Sequence, residues 1–398
     1  MLIKEDKKVK LVKSNNYNYF FNKENGFFAR WGENQDVDPV SAPLPEILDL
    51  EISQGKCSGN CPECYKCNGN TEEVYNMSFE TFVEIFHKVA KTVVRITFED
   101  GKIKTGEYNS SFKCFSKALS KQEVVNFIKS KLVATNLKVS KVEIMNIGLL
   151  TQIAFGICDI DTNPDFLKMM CYCREFDVIP NFTFNGNGLT EELADQISKV
   201  CGAVAVSNRN KQRTYNSIKM LTDRGMSQIN IHAIVHDKSY KKILETIDDM
   251  CSDARLAKMN ALVLLRYKPK GNGVGNFKQL SLQQYKDIIE YANSKNVNIG
   301  FDSCSAPIYL QAIDEITLNK TKDYVEPCES SLFSAYINCR GDFYACSFCE
   351  GEGMWKQGIS VLDSSSFDQV WNHEKTTKFR ELLLNNCRKC PMFNLGDY

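Results

Sequence analysis

The sequence predicts an α/β fold: a partial (β/α)6 barrel with a small ββαβ insert, followed by a cysteine-rich C-terminal domain. Three observations carry that expectation. Between residues 46 and 300, short β-branched and aromatic runs alternate with stretches of helical periodicity, the pattern of βαβ units around a parallel sheet. Residues 92–150 break the rhythm with elements of their own. Beyond about residue 300 the alternation stops and cysteines crowd toward the end.

Taken in order, residues 17–31 carry aromatic runs on either side of 22–26, which predicts a hairpin. Pro39, Pro43 and Pro45 then make a linker, closing a first region at 1–45. The stretch from Glu46 to Ser53 is the first barrel strand. Five more strands are expected at 151–156, 178–184, 203–207, 228–235 and 261–267, and six such strands fit a partial barrel or a doubly wound sheet. Helices are expected at 79–91, 164–176, 191–200, 212–224, 241–250 and 282–294. Within the insert, strands at 93–98 and 104–108 flank a turn at 99–101. A helix at 121–132 and a strand at 141–145 follow. A helix-to-strand connection in an α/β barrel emerges at the face opposite the active site, so the insert should brace the fold or dock a partner. The division is then 1–45, a barrel over 46–300, and 301–398.

Lysine and arginine number 49, and so do aspartate and glutamate, so no net charge draws the chain to nucleic acid or an anionic membrane. Residues 1–13 hold no apolar run of signal length, and no apolar stretch is long enough to cross a bilayer. A cytoplasmic location with no membrane or nucleic-acid partner is expected. In a reducing compartment, 17 cysteines point to metal or iron–sulfur binding and away from disulfides. Cys114, Cys158, Cys171, Cys173, Cys201 and Cys251 stand singly and read as small buried apolar residues.

The loop after the first strand carries Cys57-x3-Cys61-x2-Cys64. Three neighbouring thiolates can hold three irons of a cubane and leave the fourth without a protein ligand, and an open metal position is where a reactant binds. This spacing, on a loop after the first strand of a βα array, resembles the radical S-adenosylmethionine superfamily. Further residues carry the resemblance over 46–300. Gly156 and Asp159 fall on a degenerate Gly-Gly-Glu-Pro turn after the second strand. Thr183, Asn185 and Gly186 match a Thr-x-Asn-Gly at the end of the third, and Ser207 ends the fourth. Glu63 stands where members usually have an aromatic residue, and Cys67 is a rival ligand three residues on. The resemblance implies a [4Fe-4S] cluster with an open iron on Cys57, Cys61 and Cys64. It also implies S-adenosylmethionine held near Glu63, Gly156, Asp159, Asn185 and Ser207, and an electron donor such as flavodoxin or ferredoxin.

Two readings compete for the C-terminal cysteines. Cys346-x2-Cys349 with Cys387-x2-Cys390 has the spacing of a four-thiolate zinc ribbon. Cys328-x12-Gly341-x4-Cys346 resembles the opening of the SPASM or twitch extension, with a hairpin between the two cysteines. Residues 358–360, 370–372 and 379–380 are similar to that extension too. That resemblance implies a shortened version with one auxiliary cluster on Cys328, Cys346 and Cys390, with Cys387 or Cys304 as the fourth ligand. Cys339 and Cys349 are spare in this reading.

Strand side chains alternate faces. Asn230 and His232 in the fifth strand, and Arg266 and Lys268 in the sixth, oppose apolar residues and are the candidate catalytic groups of the cavity. His87 and His373 read as structural or exposed, His236 as either. Gly271-x-Gly273-x-Gly275 reads as a flexible loop, since no dinucleotide-type strand–turn–helix surrounds it. The expected activity is reductive cleavage of S-adenosylmethionine, then hydrogen abstraction from a substrate. By the resemblance that substrate is a peptide or protein side chain, with a small metabolite (sugar, nucleotide or amino acid) as the alternative. A zinc- or iron–sulfur-stabilised binding protein without catalysis is the reading from a different class.

Overall fold

The computed structural model describes residues 2–108, 114–117, 120–135 and 137–395. The side chain of Cys114 lies outside the described residues. The N-terminal region is a four-stranded antiparallel sheet in the order β1 (Leu2–Glu5), β2 (Val9–Lys13), β3 (Asn18–Asn22), β4 (Phe28–Trp31). The expected hairpin is β3–β4. The two strands before it are additions, because their lysines mask a short alternation in which Val12 is buried and Lys13 exposed.

The main sheet has ten strands. Its parallel part holds β5 (Ile47–Glu51), β11 (Gln152–Gly156), β12 (Ile179–Phe184), β13 (Val204–Ser207), β14 (Ile229–Val235) and β15 (Ala261–Arg266), as expected. A seventh parallel strand, β16 (Ile299–Phe301), extends the edge beside β15. Ser53 is not part of the first strand. It opens β6 (Ser53–Gly55), which pairs with β7 (Val74–Asn76) and holds the two ends of the first cysteine loop together. The connecting helices are α1 (Phe79–Val89), α4 (Phe166–Glu175), α5 (Glu191–Val200), α6 (Lys211–Thr222), α7 (Tyr240–Ser252) and α8 (Leu282–Ser294). Each presents an apolar face to the outside of the sheet, and side-chain caps at Ser78, Thr190, Asn210 and Ser281 satisfy their first backbone N–H groups.

The insert between α1 and β11 comprises β8 (Thr92–Phe98), β9 (Ile103–Glu107), α2 (Cys114–Lys117), α3 (Lys121–Val133) and β10 (Val139–Asn146), with strand order β10-β8-β9. It leaves and rejoins the barrel at the N-terminal edges of the parallel strands. There the chain approaches so closely that a Cβ on Gly148 would come within 2.7 Å of the Ala90 carbonyl oxygen.

The C-terminal region continues the barrel sheet. β17 (Ser334–Ile337) pairs in parallel with β5, placing Tyr336 beside Asp49. β18 (Asp342–Tyr344) and β19 (Ile359–Ser360) extend the edge in antiparallel fashion. Helices α9 (Ala306–Ala312), α10 (Glu315–Thr321), α11 (Phe367–Trp371) and α12 (Glu374–Asn385) complete it. Phe343, Trp355, Phe367, Trp371 and Phe379 form its fully buried core. Among the described residues, no helix is long and apolar enough to cross a membrane.

Candidate functional site

The parallel strands end around a cavity of about 350 Å³. Cys57, Cys61 and Cys64 line it together with Glu63, Gly156, Asn185 and Ser207. Gly59 is the close approach that lets the first two thiols face each other. A Cβ there would touch Sγ of Cys61 at 3.3 Å and Sγ of Cys57 at 3.4 Å. The loop is fastened from behind by Asp159, whose carboxylate accepts from the Ser58 N–H (2.7 Å), the Ser58 hydroxyl (2.6 Å) and the Asn185 amide (2.7 Å). Asp159 thus grips the cysteine loop and does not line the cavity.

Gly271 fastens the loop from the other side. Its φ is +61°, and a Cβ would run into the carbonyl oxygens of Cys64 (2.4 Å) and Tyr65 (2.6 Å). Asn272 N–H donates to the Cys64 carbonyl at 2.9 Å. The glycine-rich stretch expected to be a flexible loop is therefore a clamp on the cysteine loop. Cys67, with φ +56°, is exposed and lies outside the cavity lining, although its N–H donates to the Cys64 carbonyl.

Glu63 is buried. Its Oε1 takes an ion pair from Arg209 and faces His236 Nε2 at 3.6 Å, while its buried Oε2 has no hydrogen-bond partner. Burial pushes its pKa up, but the His236 hydrogen bond and the Arg209 charge outweigh that and hold it at about 2. His232 opens on a smaller adjoining cavity shared with Glu63, Ser207 and Arg209. Its Nδ1 lies 3.3 Å from the Thr183 hydroxyl, and burial lowers its pKa to about 4, so it is neutral at pH 7.

The other catalytic candidates lie elsewhere. Asn230 accepts from the Asn260 amide at 3.0 Å and lines neither cavity. In β15 the side chains facing the barrel interior are those of Val263 and Leu265, while Leu262, Leu264 and Arg266 are buried on the opposite side. The parity expected for this strand is inverted. Arg266 reaches the Leu395 carbonyl and lines a C-terminal cavity, and Lys268 bonds Asp302 at 3.0 Å. Both lie near the C-terminal cysteines. The charges of Asp302, Cys304 and Cys346 outweigh burial and raise the Lys268 pKa.

Cys304, Cys328 and Cys390 line one cavity of about 360 Å³. Cys346 lies close enough to influence the charge of all three, and its Sγ is 3.4 Å from that of Cys349. The Cys349 thiol hydrogen bond lowers the Cys346 pKa to about 6. Cys349 therefore lies beside Cys346 in this group of thiols. Cys387 is exposed, outside the cavity lining, so the geometry favours Cys304 over it. Cys339 stands apart, its thiol 3.8 Å from Gln54 Oε1.

Sequence reasoning missed Cys158. Its thiol hydrogen-bonds Cys57 and lowers the pKa of that residue to about 7, while burial raises those of Cys61 and Cys64. Its place just past the end of a barrel strand was the available signal. The two sets of thiols are joined by a stack: the ring of Tyr65, next to Cys64, lies 4.0 Å from that of Phe348, between Cys346 and Cys349. Among the described residues, no three Cys, His, Asp or Glu side chains are placed to hold a single metal ion.

Residues 328–391 match the SPASM family, an iron–sulfur cluster-binding domain. No curated protein matches the chain. Among solved structures, SuiB of Streptococcus suis bound to precursor peptide SuiA superposes with TM-score 0.60 at 11% identity, covering 95% of this chain and 90% of that one. SuiB bound to S-adenosylmethionine gives TM-score 0.61 at 12% identity, covering 96% and 91%. Native anSMEcpe with bound AdoMet and Cp18Cys peptide gives TM-score 0.52 at 13% identity, covering 87% and 86%. The chain is thus an α/β partial barrel joined to an iron–sulfur-type C-terminal domain. It shares its fold with these solved structures and carries a SPASM match over residues 328–391.

Proposed function

We propose that the protein is a radical S-adenosylmethionine enzyme acting on a peptide or protein side chain. The observation that carries this reading is the convergence of the Cys57, Cys61 and Cys64 thiols at one cavity with the unpartnered Glu63 Oε2. The residues fit the groups the reading requires. Gly59 leaves the space between the Cys57 and Cys61 thiols open for a cluster. Cys304, Cys328, Cys346 and Cys390 would hold an auxiliary cluster by the same logic, with Cys349 donating to Cys346.

When bound, an open-iron [4Fe-4S] cluster and S-adenosylmethionine supply a 5′-deoxyadenosyl radical that abstracts hydrogen from substrate. This chain's own residues do the positioning. Asp159 and Gly271 fix the cysteine loop at the strand ends. Glu63, held ionised by Arg209 and His236, presents an acceptor to an N–H group in the cavity. Asn185 and Ser207 also line the cavity. The peptide substrate is supported by the solved peptide complexes of SuiB and anSMEcpe. A small reductant protein such as flavodoxin or ferredoxin would deliver the electron.

The test is anaerobic reconstitution with iron and sulfide, reduction with dithionite, and assay of 5′-deoxyadenosine from S-adenosylmethionine. Wild-type protein is expected to make the nucleoside. The Cys57→Ala, Cys61→Ala, Cys64→Ala variant is expected to make none while retaining iron at the C-terminal centre. Full iron and sulfide loading without nucleoside in the wild type would overturn the reading in favour of a binding protein.

A further inference from the structure

The cavity holds a carboxylate that none of the roles above uses. Asp49, Glu51 and Ser53 line it at alternate positions, while Leu48 and Leu50 are buried on the other face of β5. The neighbouring strands place Ala154 on one side of Asp49 and Tyr336 on the other. Asp49 is open to the cavity's water yet enclosed by protein, at the wall between the two sets of thiols.

The charges along this cavity pair off, apart from this one. Lys66 Nζ is 3.1 Å from Glu51 and also bonds Glu350. Arg209 takes Glu63. Among the described residues, Asp49 has neither a hydrogen bond nor an ion pair. The groups whose charges act on it most are the Cys346 thiol and Glu329, both of which are negative when ionised. A carboxylate on a cavity wall is free to take a cationic partner, and among the described residues none supplies one.

We propose that Asp49 anchors a cationic group of the substrate, an ammonium or guanidinium, so that the peptide entering the cavity carries a lysine or arginine side chain. This rests on the peptide-modifying reading above. The site is complementary to that charge and to no other: an anionic group would meet Asp49, Glu51 and the thiols, and an apolar one would leave Asp49 unpaired in a drier cavity. The pairing also sets orientation, since a long basic side chain reaching Asp49 leaves its backbone across the barrel mouth, near the strand ends.

The experiment is anaerobic equilibrium dialysis of reconstituted protein against three capped peptides, acetyl-Gly-Gly-X-Gly-Gly-amide with X lysine, norleucine or glutamate. Wild-type protein should bind the lysine peptide about tenfold or more tighter than the norleucine one, a difference expected of a single enclosed ion pair. The glutamate peptide should bind weakest. The lysine preference should fall to about unity in Asp49→Asn and survive in Asp49→Glu. No lysine preference in the wild type, or one that persists in Asp49→Asn, would overturn the assignment. Formation of 5′-deoxyadenosine by the same wild-type preparation without peptide reports separately on the enzyme reading. Nucleoside without lysine preference removes Asp49 as the anchor and leaves the enzyme standing, whereas absence of nucleoside removes the reading beneath it.

Discussion

Two thiols absent from the expected ligand sets, Cys158 and Cys349, donate to the sulfurs of Cys57 and Cys346. In each pair the shared proton lowers one pKa and raises the other, so one sulfur of each centre is predisposed to ionise, the form that binds iron. The same geometry separates two rival ligands. Cys304 lines the C-terminal cavity beside Lys268, whereas Cys387 is exposed and has φ +49°. In the Cys57→Ala, Cys61→Ala, Cys64→Ala background the remaining iron reports on the C-terminal centre alone. There, Cys304→Ala should release iron to a chelator faster by on the order of tenfold or more, the usual scale for a weakened metal site. Cys387→Ala should leave the rate unchanged. The reverse result would restore the Cys387–Cys390 pairing of a zinc-ribbon arrangement.

At the level of elements, the N-terminal sheet is tied to the barrel through Glu46, which directly precedes β5. Its carboxylate accepts from the Tyr17 hydroxyl and pairs with Arg30 at 2.9 Å. Arg30 is also shared with Glu326 and Glu329, so no single acid is fully neutralised. Burial therefore prevails over Arg30 and raises the Glu46 pKa from 4.5 to about 7. The folded state takes up this proton at a higher pH than the unfolded chain does. Its contribution is fully present below about pH 4.5 and is lost as the pH rises to 7, at about 1.4 kcal/mol per pH unit. Glu46→Gln mimics the protonated form and removes that loss. Relative to wild type, the variant should gain roughly 2–3 kcal/mol between pH 5 and pH 8, read by denaturant unfolding at both. A relative loss over that range would mean that the ion pair, not burial, governs Glu46.

The same scale shows what the sequence could reveal. Strands β5 and β11–β14 were legible because one face of each packs under helices, and that burial writes a local alternation. In β15 both faces are apolar, Leu262 and Leu264 outward, Val263 and Leu265 inward, so the period marked a strand without marking its faces. The pairing of β17 with β5 joins residues far apart in the chain and leaves no local trace. The first cysteine loop was readable from its spacing. Asp49 was not, because a single acid in an apolar strand looks like any surface carboxylate until the neighbouring strands enclose it.

Across the whole molecule, chemistry and bracing occupy opposite ends of the barrel. The thiols, Glu63 and Asp49 gather at the C-terminal ends of the parallel strands, while the N-terminal sheet and the insert cover the other end. His87 is where that bracing converges. It is fully buried on α1, with ring nitrogens 2.7 Å from the Thr92 hydroxyl of β8 and 2.6 Å from the Tyr172 hydroxyl of α4. Rings of Tyr108, Phe115, Tyr172 and Phe176 lie 4.5–5.6 Å from its own. Burial holds its pKa well below 6.5, so it stays neutral and serves as a hydrogen-bond junction between insert and barrel. His87→Ala would remove both bonds and leave a cavity among four rings, a loss of about 3 kcal/mol or more. Because the effect arises at the end away from the thiols, 5′-deoxyadenosine formation per folded molecule should match wild type, even as the unfolding midpoint drops. Equal stability would mean that the insert is an appendage. Lost turnover in folded protein would mean that the insert shapes the cavity from the far end of the barrel.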